Sequence, residues 1–297
     1  MSDGAVHFLL HVPKCAGTTL EDHFARELGA GFLLAPRWES VWRNVIGNRY
    51  DFRPGDPRLG AVRVVSGHSL SVSLKRAFAG RAVRESVLLR DPLSYHLSLY
   101  NYRWTWHGKG YGPEPPPFEP WYRAQRRNPI TRFLLTRYFE QGVPALYRLS
   151  SRGRLRFLEA RLARFWFVGD YRSVGVLAAA VAGELGVGAV AERRNVAEAR
   201  VVSEAALDPA WRGRILADNA LDAMLHERWK DRGFGQARAA ASDGALRDGR
   251  AGASNPVAAR GTPRSPAAKV GSVLPQWDQP MHLLSDIRSS LAKKLAV

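Results

Sequence analysis

The residues with the clearest chemical potential lie in one short segment near the start of the chain, HVPKCAGTTL at positions 11–20. An apolar run at 6–12 leads into it and predicts a buried strand, and apolar residues at helical spacing follow and predict a helix. The backbone N–H groups at the start of such a helix have no partner within it, and the helix dipole favours negative charge there. We therefore predict an anion-binding loop between the strand and the helix.

The residue types of this loop suit an anionic ligand. Gly17 lets the backbone approach a ligand closely, and Lys14 adds a full positive charge. The order differs from the phosphate loop of nucleoside triphosphatases, in which Gly-Lys-Ser/Thr closes the motif, because here the lysine precedes the glycine. We expect Cys15 to be a small filler rather than a nucleophile. The residues expected to contact the anion are Lys14, Cys15, Ala16, Gly17, Thr18 and Thr19.

A second strand–turn–helix segment, SVLLRDPLSYHLS at positions 86–98, also carries groups that could hold phosphate. Pro92 suits the first turn of a helix. Arg90 lies at the end of the predicted strand, and an arginine fork binds phosphate in bidentate fashion. Ser98 follows eight residues later and could add a donor from the helix. Taken singly, Arg90 is better interpreted as a surface ion-pair partner of Asp91 or Glu85, and Ser98 as a solvated helix residue; the two motifs in the correct order favour a phosphate site.

Together the two segments resemble the donor-binding motifs of sulfotransferases that use 3′-phosphoadenosine 5′-phosphosulfate (PAPS). In that family Pro-Lys-x-x-Gly-Thr-Thr holds the 5′-phosphosulfate, and an Arg with a Ser eight residues later grips the 3′-phosphate. The resemblance is to the carbohydrate type, sulfotransferase family 2, which includes Golgi heparan and chondroitin sulfotransferases and bacterial relatives. Weaker matches extend it over roughly residues 6 to 235, at 64–69, 128–135, 165–172 and 192–196.

The resemblance implies a reaction and the residues that perform it. A sulfuryl group would pass in line from PAPS to an acceptor hydroxyl, with Lys14 stabilising the leaving group. His68 matches the base of the heparan-type enzymes, and a histidine titrates near neutral pH; a purely structural histidine, with Glu85 or Glu114 as the base, is the alternative. Arg194 matches a loop near the nucleotide end of the donor. No metal is expected, because the eight histidines show no ligand spacing with cysteine or carboxylates.

An aromatic segment at 101–121 is the candidate acceptor-binding region. We predict a long surface loop whose exposed rings stack on sugar rings, with Trp104, Trp106 and Tyr111 as the contact residues; rings packed beneath the loop are the alternative. The acceptor is expected to be a carbohydrate or another hydroxyl-bearing molecule, and an anionic one would suit the net charge of +17. Nucleic acid is not expected, because no recognition helix or aromatic RNA-binding signature is present. An ATP-dependent kinase and a non-catalytic binder of glycans or other polyanions stay open as alternatives.

The alternation of strands and helices predicts an α/β fold, a parallel sheet flanked by helices, which the resemblance narrows to the P-loop-like nucleotide-binding fold of sulfotransferases. Strands are predicted near 6–12, 62–66, 86–90 and 165–169. Helices are predicted near 18–29, 69–79, 92–106, 128–140, 154–163, 173–186, 203–206 and 209–229.

Composition divides the chain into three parts. Residues 1–235 form the expected sulfotransferase domain, and 236–272 an Ala/Gly/Pro/Arg-rich linker that lacks the apolar residues needed for folding. Residues 273–297 contain a short amphipathic pattern that could contact the domain, a partner or a membrane surface. The single cysteine excludes an intramolecular disulfide, and the chain shows neither a membrane-length apolar run nor a signal pattern. A cytoplasmic bacterial enzyme is therefore expected.

Overall fold

The computed structural model describes residues 4–35, 50–188 and 201–235. In these parts of the chain six strands form one sheet: β1 Val6–Leu10, β2 Phe32–Leu34, β3 Val64–Gly67, β4 Val83–Leu89, β5 Phe167–Asp170 and β6 Gly233–Phe234. The strand order is β2-β3-β1-β4-β5-β6; all neighbours are parallel except β5 and β6, which are antiparallel. Every residue of β1 is buried, as expected for a central parallel strand covered on both faces.

The α-helices of the described residues are α1 Gly17–Leu28, α2 Pro92–Gly108, α3 Phe118–Arg123, α4 Pro129–Phe133, α5 Ala145–Arg148, α6 Ser151–Leu162, α7 Val174–Leu185, α8 Pro209–Asp218 and α9 Ala220–Trp229. Short 3₁₀ turns occur at Gly29–Gly31, Pro57–Leu59, Val72–Phe78 and Tyr171–Ser173, and a π-helical turn, Leu134–Tyr138, continues α4. No helix in the described ranges is long and apolar enough to cross a membrane.

These elements confirm the predicted α/β class with a mostly parallel sheet flanked by helices. All four predicted strands are present, with limits shifted by a few residues. The strands β2 and β6 were missed because three and two residues are too short to show a periodicity. The predictions for 236–272 and 273–297 lie outside the described residues.

Several predicted helices need correction. The segment 69–79 contains a 3₁₀ helix over Val72–Phe78, and 203–206 is a turn rather than a helix. The single helix predicted at 209–229 is two, because Asn219 leaves the helical conformation and caps other segments with its side chain. The loop predicted at 101–121 is confined to 109–117, since the helix predicted at 92–106 continues through Gly108 and α3 begins at Phe118.

The strand order creates a crevice at one edge of the sheet. The connection after β1 leads to β2 on one side, whereas the connection after β4 leads to β5 on the other side. Because β1 and β4 are direct neighbours, their two connections leave in opposite directions. Open α/β sheets bind ligands beyond the carboxyl ends of such a strand pair. The loop at 11–16 and the turn at Arg90 are the segments that leave these two strand ends.

A buried polar network fixes the elements next to this edge. Asn128 donates its backbone N–H to Asn219 Oδ1 (2.7 Å), and its own Oδ1 accepts the N–H groups of Leu221 and Asp222 (2.9 and 3.1 Å). The carboxylate of Asp222 accepts two N–H groups in the first turn of α4, at 2.9 and 2.8 Å. The start of α4 is thus capped by a side chain from α9.

We expect Asp222→Asn to lower the free energy of unfolding by about 1–3 kcal/mol at pH 7, because an amide oxygen can replace only one of the two carboxylate acceptors and one buried N–H group loses its partner. Urea unfolding followed by circular dichroism measures this. Glu227→Gln, at an exposed position of the same helix, is the matched control and should change stability by less than about 0.5 kcal/mol. Equal effects of the two substitutions would contradict the capping role.

Asp222 also makes the free energy of unfolding depend on pH. Burial raises the pKa of Asp222 to about 6, against the opposing effect of the N–H groups of Thr131 and Ile130. The folded protein therefore holds the Asp222 proton more tightly than the unfolded chain does. The contribution of Asp222 to the free energy of unfolding is largest at low pH and falls as the pH rises from about 4 through 6. The stability difference between wild type and Asp222→Asn should be larger at pH 4 than at pH 7.

Candidate functional site

The loop between β1 and α1 has an unusual backbone. Lys14 and Ala16 have φ angles of 63° and 64°, a left-handed conformation that costs non-glycine residues roughly 1–2 kcal/mol each. Such residues persist where the surrounding structure enforces them, and they cluster at ligand-binding segments. Ala16 is the N-cap of α1 and offers the first-turn N–H groups no side-chain acceptor. A turn of this kind at a helix N-terminus is a concavity suited to an anion.

Two small residues allow the loop to pack tightly. A Cβ atom at Gly17 would lie 2.0 Å from Cδ2 of His11, so the glycine is required by the imidazole ring beneath it. Cys15 is buried, and burial raises the pKa of its thiol well above the ordinary value although Arg90 and Lys14 act in the opposite direction. A thiol that stays protonated is a poor nucleophile, which favours the interpretation of Cys15 as a filler.

Arg90 joins the two strand ends. Its Nη1 donates to the backbone carbonyl of Lys14 (2.7 Å), and its Nε donates to the Ser94 hydroxyl (3.0 Å). The guanidinium also lies 4.0 Å from the ring centroid of Tyr171, the residue that follows β5. Asp91 does not pair with Arg90; it caps α2 by accepting the N–H of Ser94 (2.8 Å).

The guanidinium is therefore positioned without being neutralised. Among the described residues no carboxylate forms an ion pair with Arg90, whose neighbours are a carbonyl, a hydroxyl and a ring. A charge held in this way stays available to an anionic ligand, for which a guanidinium can supply paired donors.

One face of α2 connects Arg90 with Lys14. Residues 94, 98, 102 and 106 lie four apart and share that face. Ser94 contacts Arg90, whereas Lys14 Nζ lies 3.8 Å from the ring centroid of Tyr102. The half-buried Ser98 lies between Ser94 and Tyr102, one helical turn from each. The predicted residues Lys14, Arg90 and Ser98 are thus brought to one place.

The predicted aromatic contact residues separate into two groups. Trp106 follows Tyr102 on the same face, with ring centroids 5.7 Å apart, and Tyr111 lies 5.7 Å from Trp106 with 67% of its surface exposed. Trp104 instead packs inward against a second apolar core that includes Tyr100 (6.4 Å between centroids). Trp106 and Tyr111 therefore fit an acceptor surface better than Trp104 does.

His68 lies beside the loop at the end of β3. Its Nδ1 is 2.8 Å from the carbonyl oxygen of His11, which can only accept, so Nδ1 carries the proton and Nε2 holds the lone pair. The two imidazole centroids are 3.9 Å apart. Burial and the neighbouring His11 lower the pKa of His68 to about 3. His68 is therefore neutral at physiological pH, as a base must be, but it is a weak base in the unliganded protein.

The other predicted candidates lie elsewhere. Glu85 is near the start of β4, about 13 Å from its carboxyl end at the rise of a strand, and binds the Tyr138 hydroxyl and Lys75 Nζ (3.1 Å). Glu114 is exposed between α2 and α3. Arg194 lies outside the described residues.

Sequence reasoning missed several contact residues, namely His11, Glu21, Ser94, Tyr102 and Tyr171. Ser94 and Tyr102 could have been found from their helical spacing of four residues on either side of Ser98. Tyr171 could have been found because it follows a strand whose carboxyl end lies at the same edge of the sheet. The contacts of His11 and Glu21 depend on tertiary packing and have no local signal.

A separate cleft of about 310 Å³ lies at the amino ends of β1 and β4. It is lined in part by His7, Arg63, Arg84 and Glu184. Glu184 pairs with His7 (3.1 Å) and with Arg84, and burial together with the two arginines lowers the pKa of His7 to about 4. Because Glu184 already offsets part of this charge, and because the cleft is at the opposite end of the strands, it is not part of the loop site. Within the three described ranges no group of His, Cys, Asp or Glu side chains could hold a metal ion.

No protein-family model matches the chain, and comparisons with curated proteins and with solved structures gave no significant match. The resemblance to sulfotransferases therefore stays a prediction.

We expect Gly17→Ala to lower the free energy of unfolding by about 1–3 kcal/mol, because the added methyl group overlaps the His11 ring and the loop must move. Thermal and urea unfolding measure the change. Gly183→Ala, in α7 where an added Cβ meets nothing within 4 Å, should instead stabilise by about 0.5–1 kcal/mol. Replacing His11 by Ala in the Gly17→Ala background should recover part of the loss, and no recovery would contradict the steric explanation.

Proposed function

We propose that this chain is a PAPS-dependent sulfotransferase that transfers a sulfuryl group to a hydroxyl of a carbohydrate or glycosylated acceptor. The observation that carries the proposal is the joint placement of Lys14 and Arg90 on one face of α2, at the crevice between β1 and β4. Such a crevice is where α/β sheets bind nucleotides. The proposal includes a P-loop-like nucleotide-binding fold of the sulfotransferase kind.

The spacing of the two cations favours a ligand with two separate anionic groups. Lys14 Nζ lies over Tyr102 and Arg90 contacts Ser94. Ser94 and Tyr102 are eight residues apart on α2, about 12 Å along its axis, so the two cationic side chains contact this helix two turns apart. PAPS carries a 3′-phosphate and a 5′-phosphosulfate on opposite sides of its ribose, whereas ATP concentrates its charge in one chain of phosphates. We assign Arg90 and Ser98 to the 3′-phosphate, and Lys14 with residues 15–19 to the 5′-phosphosulfate.

The proposed reaction is an in-line displacement at sulfur. The acceptor oxygen forms a bond to sulfur while the bond from sulfur to the bridging phosphate oxygen breaks, and that oxygen leaves with the electron pair. Lys14 and the N–H groups at the start of α1 stabilise the developing negative charge, which is the usual largest contribution in such sites. The hydroxyl proton passes to Nε2 of His68. The bound anionic donor raises the pKa of the nearby imidazole, because a negative neighbour favours its charged form.

The acceptor would lie along the aromatic surface that leads away from Lys14. Tyr102, Trp106 and Tyr111 form a continuous series of ring contacts that becomes exposed at Tyr111. Exposed aromatic faces suit the apolar faces of sugar rings, and the excess of arginine suits an anionic acceptor. PAPS is the only cofactor in this proposal, and no metal takes part in it.

The first test is thermal unfolding with 3′-phosphoadenosine 5′-phosphate (PAP), ADP and ATP–magnesium. A ligand that binds only the folded state raises the melting temperature. We expect a rise with PAP that ADP does not produce, and we expect Arg90→Ala to abolish it. Arg152→Ala, which removes an exposed arginine from α6, should leave it intact. A rise with ATP–magnesium alone would favour a kinase, and no response to any nucleotide would favour a non-catalytic binder.

The two cations should have separable kinetic roles. We expect Lys14→Ala to lower kcat by about 10²- to 10³-fold, because it removes charge stabilisation of the leaving group. Arg90→Ala should chiefly raise KM for PAPS, by about 10- to 100-fold, because it removes a charged hydrogen-bond donor remote from the reacting atoms. Release of PAP from PAPS, with water or added glycans as acceptor, measures both. A purely KM effect of Lys14→Ala would contradict the proposed mechanism.

A further inference from the structure

A polar cluster lies directly beneath the anion loop. Glu21, in the second turn of α1, holds its Oε1 2.8 Å from His11 Nδ1 and 2.9 Å from the Ser66 hydroxyl. The same hydroxyl lies 2.8 Å from the carbonyl of Leu9, its neighbour in β1. The side chains of His11 and Glu21 are largely buried. The cluster therefore links α1, β1 and β3 at the carboxyl edge of the sheet.

His11 is the member of the cluster that contacts the proposed reaction site. Its ring packs against the Cα of Gly17, where the loop enters α1. The ring also lies against His68, and its backbone carbonyl fixes the Nδ1 proton of His68. His11 thus contacts the anion loop through its ring, and the candidate base through its ring and its backbone carbonyl.

The charge of Glu21 matters for this arrangement. Burial opposes ionisation of its carboxyl group, but the contacts with His11, His68 and Ser66 outweigh burial and lower its pKa. The carboxylate lies 2.8 Å from Nδ1 of His11, but the geometry is that of a charge contact and not of a hydrogen bond. A negative charge at this distance still favours a proton on Nδ1 over one on Nε2. The same negative charge partly offsets the loss of basicity of His68.

We infer that Glu21 and His11 are positioning residues: the Glu21 carboxylate orients the His11 ring, which in turn holds the anion loop and His68 in the geometry that the reaction needs. The catalytic part of this inference rests on the proposed sulfotransferase function. Neither residue is assigned to a bond-making step. The orienting contact itself is a property of the unliganded protein.

The test compares Glu21→Gln with Asp22→Asn. Both substitutions remove one carboxylate charge from α1, but Asp22 is exposed and Glu21 is not. We expect Glu21→Gln to raise the Kd for PAP and to lower kcat, each by about tenfold, as loss of an orienting partner does around bound groups. Asp22→Asn should change both by less than twofold. Equal effects of the two variants would overturn the inference.

Imidazole ¹⁵N NMR gives a readout that needs neither activity nor ligand. In the wild type, His68 should show the Nδ1–H tautomer, and His11 should carry a proton on Nδ1 facing Glu21. The His11 signals should shift in Glu21→Gln and stay unchanged in Asp22→Asn. A His11 ring that carries its proton only on Nε2 in the wild type would overturn the inference even if Glu21→Gln fails to fold.

The two measurements separate this inference from the proposed function. If wild type does not bind PAP, the sulfotransferase proposal fails, and the NMR result alone decides whether Glu21 orients His11. If wild type binds PAP and Glu21→Gln binds and turns over equally well, the function stands and the positioning role is overturned. Rescue of binding by Glu21→Asp but not by Glu21→Gln would support a role for the charge.

Discussion

The parallel pairing of β1 with β4 is the constraint on which the site depends. It places the ends of two strands side by side and sends their connections in opposite directions. The loop after β1 and the turn after β4 are thereby forced together, and the hydrogen bond from Arg90 to the Lys14 carbonyl closes the gap between them. A segment from each half of the sheet contributes one cation. Neither half alone could present both charges to one ligand.

The geometry of these cations explains how the site can stay charged without collapsing. A buried ion pair would neutralise Arg90 and compete with any anionic ligand. The described contacts of Arg90 are instead a carbonyl, a hydroxyl and an aromatic face, which orient the guanidinium and leave its charge intact. Lys14 Nζ lies 3.8 Å from the centroid of the Tyr102 ring.

The sequence was sufficient for what depends on local pattern and insufficient for what depends on packing. Apolar runs and turn residues predicted the α/β class and the strand–loop–helix segments around Lys14 and Arg90. The same reasoning drew the aromatic loop too wide, from 101 to 121, although the helix predicted at 92–106 ends only two residues later, at Gly108. The edge strands β2 and β6 were not predicted, because they are only three and two residues long and too short to show an alternating pattern. The contact of Glu21 with Ser66 spans 45 residues and has no local signature.

The presence of two cations on different segments of the chain also bears on nucleotide selectivity. A site with one cluster of charge binds any nucleotide whose phosphates reach it, so it cannot tell a 3′-phosphate from its absence. A site with a second, oriented guanidinium leaves that group unsatisfied when the 3′-phosphate is missing. Charged hydrogen bonds are worth about 1.5–3 kcal/mol, which corresponds to roughly 10- to 100-fold in affinity. The rigidity of Arg90, fixed by Ser94, Tyr171 and the Lys14 carbonyl, prevents the guanidinium from moving to another anion. Under the proposed function, discrimination would follow from the same contacts that hold the loop to the sheet.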